Sequence, residues 1–340
     1  MVGSATRSQK DTRMNLELLD AKKRSVIDRF GPWTASNIHV DGDLYTIGEK
    51  IHGDEIKLRR VLQIVADITR RPLETLRLLD LACHEGIYAV EFARHGAQVV
   101  GIEGREAHIA KATFVKEALS LDNLNIFQDD VRNLSEHKYG RFDVVLCLGI
   151  LYHLDTPDVF SFVERIGEVC QDVAIFDTRI AFGPTETFTH KGTTYWGHRI
   201  QEGHSATDTQ ADKIKRYWAS LDNLTSFHLS RTSLYSLLAR QGFTTVYECH
   251  VPAEPTKPID RITFVAVKGR RQTVLNSPLM ARYPTNTSPE ELTAFKMEQI
   301  FGRVYKMARL MPERVRVFLK SGGLLGKLYK PLPAAIGRKE

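Results

Sequence analysis

Residues 76–100 constrain the fold of this chain more than any other segment. A short apolar run ends on Asp80, a turn follows at residues 82–86, a helical pattern comes next, and a second apolar strand ends on Glu103. A strand, turn, helix and strand with an acid about 20 residues past the turn are typical of a nucleotide-binding βαβ unit, in which that acid accepts hydrogen bonds from ribose hydroxyls. The pattern therefore predicts an α/β protein with a doubly wound, Rossmann-like sheet.

The turn lacks the glycines that a dinucleotide site requires. The G-x-G-x-x-G pattern places a pyrophosphate on the helix N-terminus, and here its positions hold Ala82, His84 and Gly86, so an imidazole would obstruct the phosphate. The segment resembles the D-x-G-x-G-x-G motif of class I methyltransferases, which it matches at Asp80 and Gly86. The resemblance implies S-adenosylmethionine (SAM), which has no phosphate, as the cofactor. For this motif alone, an ordinary βα turn of another α/β protein is the alternative.

Two later strands extend the resemblance to class I methyltransferases over residues 75–180. The strand at 125–131 ends in acids, and the resemblance implies that Asp130, or alternatively Asp129, binds the adenine amino group. The strand at 142–149 is almost entirely apolar, as expected for a strand that is buried on both faces. The predicted cofactor-binding residues are Asp80, Ala82, His84, Gly86, Glu103, Asp130, Val131 and Leu148.

The loop after this strand carries a narrower resemblance. Residues 149–153, GILYH, are similar to the GVLYH segment of the tRNA wobble-uridine carboxymethyltransferases and their relatives, as are residues 227–230 and 234–243 and, weakly, 33–47. In those enzymes the matching Tyr, here Tyr152, helps to hold the carboxylate of a carboxylated SAM. The basic partners of that Tyr cannot be placed from the sequence, so we expect a cofactor without the extra carboxylate.

Methyl transfer to a hydroxyl group needs a base that removes the acceptor's proton, and His153 is the candidate. It follows the fourth strand at the carboxyl edge of the sheet, where open α/β sheets bind ligands. A structural His that caps the loop is an equal alternative. Tyr152 is expected to pack beside SAM or to touch the acceptor, and Asp177, which ends the fifth strand, is expected to orient the imidazole. We predict no metal site, because no third ligand has a diagnostic spacing.

The pattern divides the chain into three predicted parts. Residues 1–55 form an N-terminal capping segment with a helix near 16–30. Residues 56–270 form the SAM-binding methyltransferase domain. Residues 286–340 form a helical C-terminal tail that begins with a capping box.

The predicted domain contains an insertion at about 181–225. This insertion is rich in His, Thr and aromatic residues, which suit a lid over the acceptor, whereas an excursion packed at the sheet edge is the alternative. The side chains that suggest a lid are His190, Tyr195, Trp196, His198 and His204. Beyond the insertion, strands near 244–248 and 262–267 are expected to close the sheet, the last of them antiparallel.

Positive charge is concentrated in the C-terminal tail. Residues 296–340 hold 11 Lys and Arg against 3 acids, a net charge of +8, whereas the whole chain carries +6, so the remainder carries −2. A surface helix with solvated charges is the first interpretation of this tail. Attachment to an anionic membrane and contact with RNA phosphate are the alternatives. The slightly acidic body disfavours nucleic acid as a partner.

The cysteines indicate the compartment. The four cysteines are scattered and form no C-x-x-C pair, so neither a zinc site nor a redox dithiol is predicted. Free thiols in apolar contexts favour a reducing compartment, and no apolar stretch is long enough to span a bilayer. We expect a cytoplasmic protein, with peripheral membrane contact through the tail as the alternative. The oligomeric state is not predicted.

Three functions fit these patterns. The first is a SAM-dependent methyltransferase that acts on a small-molecule or lipid acceptor, at oxygen. The second is a tRNA-modifying methyltransferase or carboxymethyltransferase that acts on a wobble uridine. The third is a SAM-binding protein without turnover, suggested by the missing glycines and opposed by the acids and the Tyr152–His153 pair.

Overall fold

The computed structural model describes residues 9–48, 54–254 and 257–270. The strands are β1 His39–Asp41, β2 Leu44–Tyr45, β3 Arg77–Leu81, β4 Gln98–Glu103, β5 Leu124–Gln128, β6 Phe142–Leu148, β7 Cys170–Arg179, β8 Glu186–His190, β9 Thr193–Gln201, β10 Thr225–Leu229, β11 Phe243–Cys249 and β12 Arg261–Lys268. The α-helices are α1 Gln9–Phe30, α2 Asp54–Thr69, α3 Ile87–Arg94, α4 Glu106–Ala118, α5 Glu136–Tyr139, α6 Asp158–Val169, α7 Gln210–Lys215 and α8 Arg231–Arg240. Short 3₁₀ helices lie at Leu73–Thr75, Val131–Asn133 and Leu151–His153.

A seven-stranded sheet in the order β11-β12-β7-β6-β3-β4-β5 organises the fold. Strands β3 to β7 run parallel, with Leu78 opposite both Val99 of β4 and Val144 of β6. Strand β12 pairs antiparallel with β7, and β11 pairs antiparallel with β12. The prediction of a doubly wound α/β sheet with an antiparallel closing strand is confirmed.

Apolar side chains cover both faces of this sheet, which is why its central strands are apolar on both sides. One face packs against α2, α3 and α4, with Phe92 and Val115 fully buried. The other face packs against α6 and α8, with Phe162 and Leu237 fully buried. The order of the parallel strands brings the carboxyl ends of β3, β4 and β6 together at one edge, where ligands bind in open α/β sheets.

The N-terminal segment packs on the same core as the sheet. Its helix, α1, is longer than the predicted span of 16–30, and the chain after it places Trp33 edge-on to Phe114 of α4, with ring centres 5.5 Å apart. Trp33 is buried, as are Ile38 and Val40 in the extended segment that follows. This packing brings the segment close to the carboxyl edge of β3.

The predicted insertion forms an antiparallel sheet of β8, β9 and β10, with α7 in the long connection between β9 and β10. The ring of Phe160 in α6 stacks against His190 and Tyr195 of this sheet, with ring centres 5.1 Å and 4.9 Å apart. These two members of the predicted lid cluster therefore pack against the domain, as the alternative interpretation expects. None of the helices within the described ranges is long and apolar enough to cross a membrane. The predicted helical tail at 286–340 lies outside the described residues.

Candidate active site

A cavity of about 260 Å³ opens at the carboxyl edge of the parallel strands. The residues that line it and that the sequence predicted are Asp80, Ala82, His84, Glu103, Val131, Leu148, Tyr152 and His153. Three predicted residues, Gly86, Asp130 and Asp177, lie outside the lining. Residues that the sequence did not indicate complete the wall, among them Lys57, Arg105, Arg261 and residues 217–221.

The turn between β3 and α3 has the backbone conformation of a glycine-rich loop, although Gly86 is the one glycine of the motif that it retains. Ala82 and His84 have φ angles of +52° and +55°, and Gly86 has a φ angle of +90°. Left-handed backbone costs an L-residue roughly 1–2 kcal/mol, so two such residues in one turn indicate a conformation that the surroundings impose. At Gly86 a side chain has little room, because an added Cβ would lie 3.1 Å from the Cβ of Ala112.

Two buried acids, Asp80 and Glu103, lie in the wall beside this turn. The carboxylate of Asp80 accepts a hydrogen bond from the amide of Ala89 at 3.1 Å. Burial raises the pKa of Asp80 to about 7, the charge of Glu103 adds to that shift, and the Ala89 amide and Lys57 oppose it. The carboxylate of Glu103 accepts the amides of His84 at 3.0 Å and Arg105 at 2.9 Å.

Glu103 stays ionised at neutral pH. Burial alone would raise its pKa, but the imidazole of His108, whose Nδ1 lies 3.5 Å from Glu103 Oε1, and the Arg105 amide bring the pKa below its ordinary value. A carboxylate has about four acceptor positions, so Glu103 keeps capacity for further hydroxyl donors. The position of Glu103 at the end of β4 is the one that binds ribose hydroxyls in nucleotide-binding βαβ units.

This wall fits SAM. Its acids suit the cation and the ribose diol of SAM, and its turn admits side chains because no phosphate must be accommodated. Among the described residues, none hydrogen-bonds the buried Nε2 of His84, so the wall also holds a polar atom that a ligand could satisfy. Burial, with the charge of His108, lowers the pKa of His84 to about 4, so this imidazole is neutral at pH 7.

The structure places the two acids proposed for adenine differently. Asp130 lies outside the cavity, and its carboxylate accepts three hydrogen bonds from the side chain of Arg132, the shortest 2.6 Å long. Asp129, the alternative, lines the cavity, but its carboxylate accepts from Tyr139 at 2.5 Å and from Lys138 at 2.6 Å. Of the two acids proposed for adenine, only the alternative, Asp129, therefore lies on the cavity wall.

His153 pairs with an acid that the sequence did not indicate. Its Nδ1 lies 2.9 Å and 3.1 Å from the two carboxylate oxygens of Glu202, in the insertion. Burial would raise the pKa of Glu202, but the hydrogen bond and charge of His153 bring it below the ordinary value. The prediction that Asp177 orients this imidazole is wrong, because Asp177 is fully buried among other partners, at 2.5 Å from both Lys257 and Arg261.

Basic groups surround Tyr152, which the sequence could match only as an isolated Tyr. The Arg261 guanidinium carbon lies 5.6 Å from the centre of the Tyr152 ring, and both residues line the cavity with Lys57. Lys57 lies 3.9 Å from Asp177, so three cations, Lys57, Lys257 and Arg261, surround one carboxylate. Burial would raise the pKa of Asp177, but these cations hold it well below its ordinary value.

A further part of the wall comes from the connection between β9 and β10, at residues 217–221. The ring of Trp218 stacks on His84 with centres 5.6 Å apart. Of the predicted lid cluster, His204 supports this segment, because its Nε2 lies 2.9 Å from the carbonyl oxygen of Ser220. Neither Trp218 nor residues 219–221 had a sequence signal beyond their place in the insertion.

The known proteins that this chain resembles in sequence are methyltransferases, in agreement with a cavity that fits SAM. Residues 78–172 match a family model described as "Methyltransferase domain". The ubiquinone biosynthesis O-methyltransferase of Acinetobacter baumannii (strain AYE) is 34% identical over 88 residues, which are 26% of this chain and 36% of the relative. That of Rhodopseudomonas palustris (strain TIE-1) is 32% identical over 105 residues, 30% of this chain and 39% of the relative. The chain thus spans less than two fifths of the length of these relatives.

A solved structure shares the fold over a longer stretch. The N-terminal domain of EvdMO1 with SAH bound has a TM-score of 0.56 and 21% identity, and the match covers 79% of this chain and 100% of that chain. The matched family model, the sheet and the acid-lined turn together indicate a methyltransferase domain over residues 78–172, with a Rossmann-like fold and a cavity that fits SAM.

Proposed function

We propose that the protein transfers the methyl group of SAM to a hydroxyl oxygen of a small-molecule or lipid acceptor, with His153 as the general base. The observation that carries this proposal is the pairing of His153 Nδ1 with Glu202, at 2.9 Å, in a side chain that also lines the cofactor cavity. A carboxylate at Nδ1 favours the tautomer with its hydrogen on that atom, so Nε2 is the atom that accepts a proton.

The residues of the site have separate tasks in this reaction. Bound SAM would supply an electrophilic methyl group on a sulfonium. His153 Nε2 takes the hydroxyl proton while the acceptor oxygen forms its bond to that methyl carbon, and Glu202 stabilises the imidazolium that results. The bond from the methyl carbon to sulfur breaks, leaving a neutral thioether. Residues 217–221 line the cavity, where they would limit the access of water, a competing acceptor, to the bound methyl group.

The sequence relatives support a small acceptor and an oxygen atom. The matched proteins from Acinetobacter baumannii and Rhodopseudomonas palustris are named as O-methyltransferases of ubiquinone biosynthesis. The EvdMO1 domain, which shares the fold, has also been solved in the presence of SAH and D-fucose. A simple phenol, as the hydroxyl form of a quinone, and D-fucose are therefore suitable first acceptors.

The test uses SAM labelled in its methyl group, with a simple phenol, D-fucose and total tRNA as acceptors. We expect label on one of the small molecules. His153→Ala should lower kcat by about 10²–10⁴-fold while the Kd for SAM stays nearly unchanged, because the imidazole acts on the acceptor. Full turnover in His153→Ala would contradict the assignment of the base. Binding of SAM without transfer to any acceptor would favour the non-catalytic alternative.

A second candidate function is carboxymethyl transfer from a carboxylated SAM to a wobble uridine of tRNA. The observation that favours it is the pair of cations, Lys57 and Arg261, beside Tyr152 in the cavity wall. The expectation of an uncarboxylated cofactor depended on the lack of such basic partners in the sequence, and the structure supplies them. Two cations on the wall next to Tyr152 would stabilise an additional carboxylate.

Competition binding separates the two candidates. If SAM is the cofactor, carboxylated SAM should compete no better than SAM, and Lys57→Met should change the two affinities equally. If the carboxylated cofactor is used, it should bind more tightly than SAM, and Lys57→Met should selectively weaken it. Lys23→Met is a matched control, because Lys23 is a partly buried lysine that donates to a backbone carbonyl, that of Tyr45.

A further inference from the structure

Arg105 hydrogen-bonds the backbone of the connection between β9 and β10, which lines the cavity. We define the lid loop as residues 202–224, between β9 and β10. The guanidinium of Arg105 donates from Nε to the carbonyl of Ile214 at 3.0 Å, and from Nη2 to the carbonyls of Arg216 at 3.1 Å, Ala219 at 2.8 Å and Ser220 at 3.1 Å. Four carbonyls on one buried guanidinium form an arrangement that a lysine ammonium, with three donors and no planar fork, cannot reproduce.

The same lid loop holds the candidate base. The amide of Ser220 donates to Glu202 Oε2 at 3.0 Å, and Glu202 accepts His153 Nδ1. The side chain of Asn223 donates to the carbonyl of His153 at 2.9 Å. The carbonyl of Ser220 therefore accepts a hydrogen bond from Arg105, and its amide donates one to Glu202, which orients the imidazole of His153. Through these two bonds Ser220 links Arg105 to the candidate base.

The backbone of Arg105 contacts Glu103, which is in the part of the cavity wall assigned to the cofactor. Its amide donates to Glu103 Oε1 at 2.9 Å, and Glu103 is the acid in position for the ribose. The neighbouring Gly104 lies tightly beneath the lid loop, since a Cβ there would approach a methyl carbon of Leu221 to 2.5 Å. Glu103, Gly104 and Arg105 are consecutive in the chain. A ligand that holds Glu103 in place therefore also restrains the backbone of Arg105.

We propose that Arg105 is a positioning residue that couples cofactor binding to closure of the lid loop and to orientation of His153, so that the cofactor binds before the acceptor. This inference rests on the proposed function for its second half, the orientation of the base. Its first half, closure of the lid loop, concerns only the cofactor and can be measured without an acceptor.

The first measurement is limited trypsin digestion with S-adenosylhomocysteine as the probe. Lys215 and Arg216 lie in the lid loop and are exposed, so cleavage there reports its opening. At 100 times the Kd of each protein, ligand should slow cleavage of the wild type by on the order of 100-fold if only the ligand-free form opens. Arg105→Lys should lose most of this protection. Arg77→Lys is the matched control, because Arg77 also binds backbone carbonyls, those of Tyr139 and Arg141, away from the cavity.

The second measurement is turnover across pH. Arg105→Lys and Glu202→Gln should each lower kcat, by roughly 10- to 100-fold, and each should shift the acid limb of the pH–rate profile. The double variant should be no slower than the slower single variant, because both changes break one network. Arg77→Lys should retain the wild-type profile.

The outcomes separate the inference from the proposed function. Full ligand protection in Arg105→Lys, or kcat losses that multiply in the double variant, would overturn the role of Arg105. Full turnover in His153→Ala would refute the base and with it the coupling to Arg105, even if the lid loop still closes on ligand. Loss of protection together with non-additive kcat losses would support the whole inference.

Discussion

The ammonium of Lys111 lies 3.0 Å from a carboxylate oxygen of Glu85, and neither side chain is exposed to solvent. Glu85 also accepts the amides of residues 34–36, and Lys111 donates to the carbonyl of Pro32 at 2.6 Å. Glu85 lies in the turn between β3 and α3, at residues 82–86, which we call the cofactor turn. Through these contacts, Glu85 and Lys111 hold the N-terminal segment against that turn. Ala35 and Ser36 thereby reach the cavity wall.

Breaking this pair should destabilise the protein strongly. Lys111→Met leaves the carboxylate of Glu85 buried without its cation, which costs about 3–5 kcal/mol in comparable sites. Urea denaturation should report that loss in the free energy of unfolding. Arg29→Met is the control, because Arg29 and Glu106 also lie 3.1 Å apart but with side chains 72% and 63% exposed, and such pairs contribute about 0–1 kcal/mol. A loss in Lys111→Met no larger than in this control would contradict the assigned role.

The sheet and the cofactor turn were predictable from the sequence because their signals are local. An apolar run ending on an acid, a turn and a helical period lie within 25 consecutive residues, 76–100, and the carboxyl-edge rule then brings the strand ends together. Lys111 and Glu85 are 26 residues apart, and His153 and Glu202 are 49 apart. Each looks like an ordinary charged residue in sequence, since its partner is set by tertiary packing.

The insertion is a second case in which tertiary packing, and not local sequence, decides where side chains lie. Its imidazoles and aromatic rings predicted a lid, but His190 and Tyr195 stack on Phe160 instead. The residues that do line the cavity, 217–221, follow α7, and their position depends on hydrogen bonds to Arg105. Composition therefore singled out an insertion that reaches the cavity, but it did not indicate which of the insertion's residues line the cavity.

The cofactor turn offers a direct test of its backbone strain. Gly86→Ala should destabilise the protein by more than about 1 kcal/mol, because φ is +90° there and the new Cβ would press on Ala112. Ala82→Gly should be neutral or slightly stabilising, since it relieves a left-handed alanine at φ +52° while it adds freedom to the unfolded chain. Paired urea titrations measure both changes. Equal effects of the two variants would contradict the assigned geometry.

Glu103 should contribute directly to SAM affinity. Glu103→Ala is expected to weaken binding by about 1–3 kcal/mol, the range for hydrogen bonds to a charged group. Glu103→Gln, which keeps one acceptor oxygen, should lose less. Isothermal calorimetry on folded variants measures both, with Glu106→Gln as a control outside the cavity. Unchanged affinity in a folded Glu103→Ala would remove this acid from the cofactor site.

Asp80 should make SAM binding depend on pH. Burial raises the pKa of this carboxyl to about 7, so below pH 7 the ligand-free protein holds it mostly protonated. A bound cation favours the ionised carboxylate, so binding should release a proton and should weaken as the pH falls below 7, by up to tenfold per pH unit. The linkage for folding has the opposite sense. A raised carboxyl pKa stabilises the folded state fully only below the unfolded value near 4, and that contribution is lost as pH rises through 7.

Calorimetry between pH 5.5 and 8, in two buffers of different ionisation enthalpy, counts the released proton directly. Asp80→Asn should bind more weakly at pH 8 and should lose the part of the slope that belongs to Asp80. The amino group of SAM titrates identically in both experiments, so it cancels from the comparison between wild type and variant. Wild-type binding that follows the same pH dependence as Asp80→Asn would show that Asp80 does not change its protonation on binding, and would contradict this prediction.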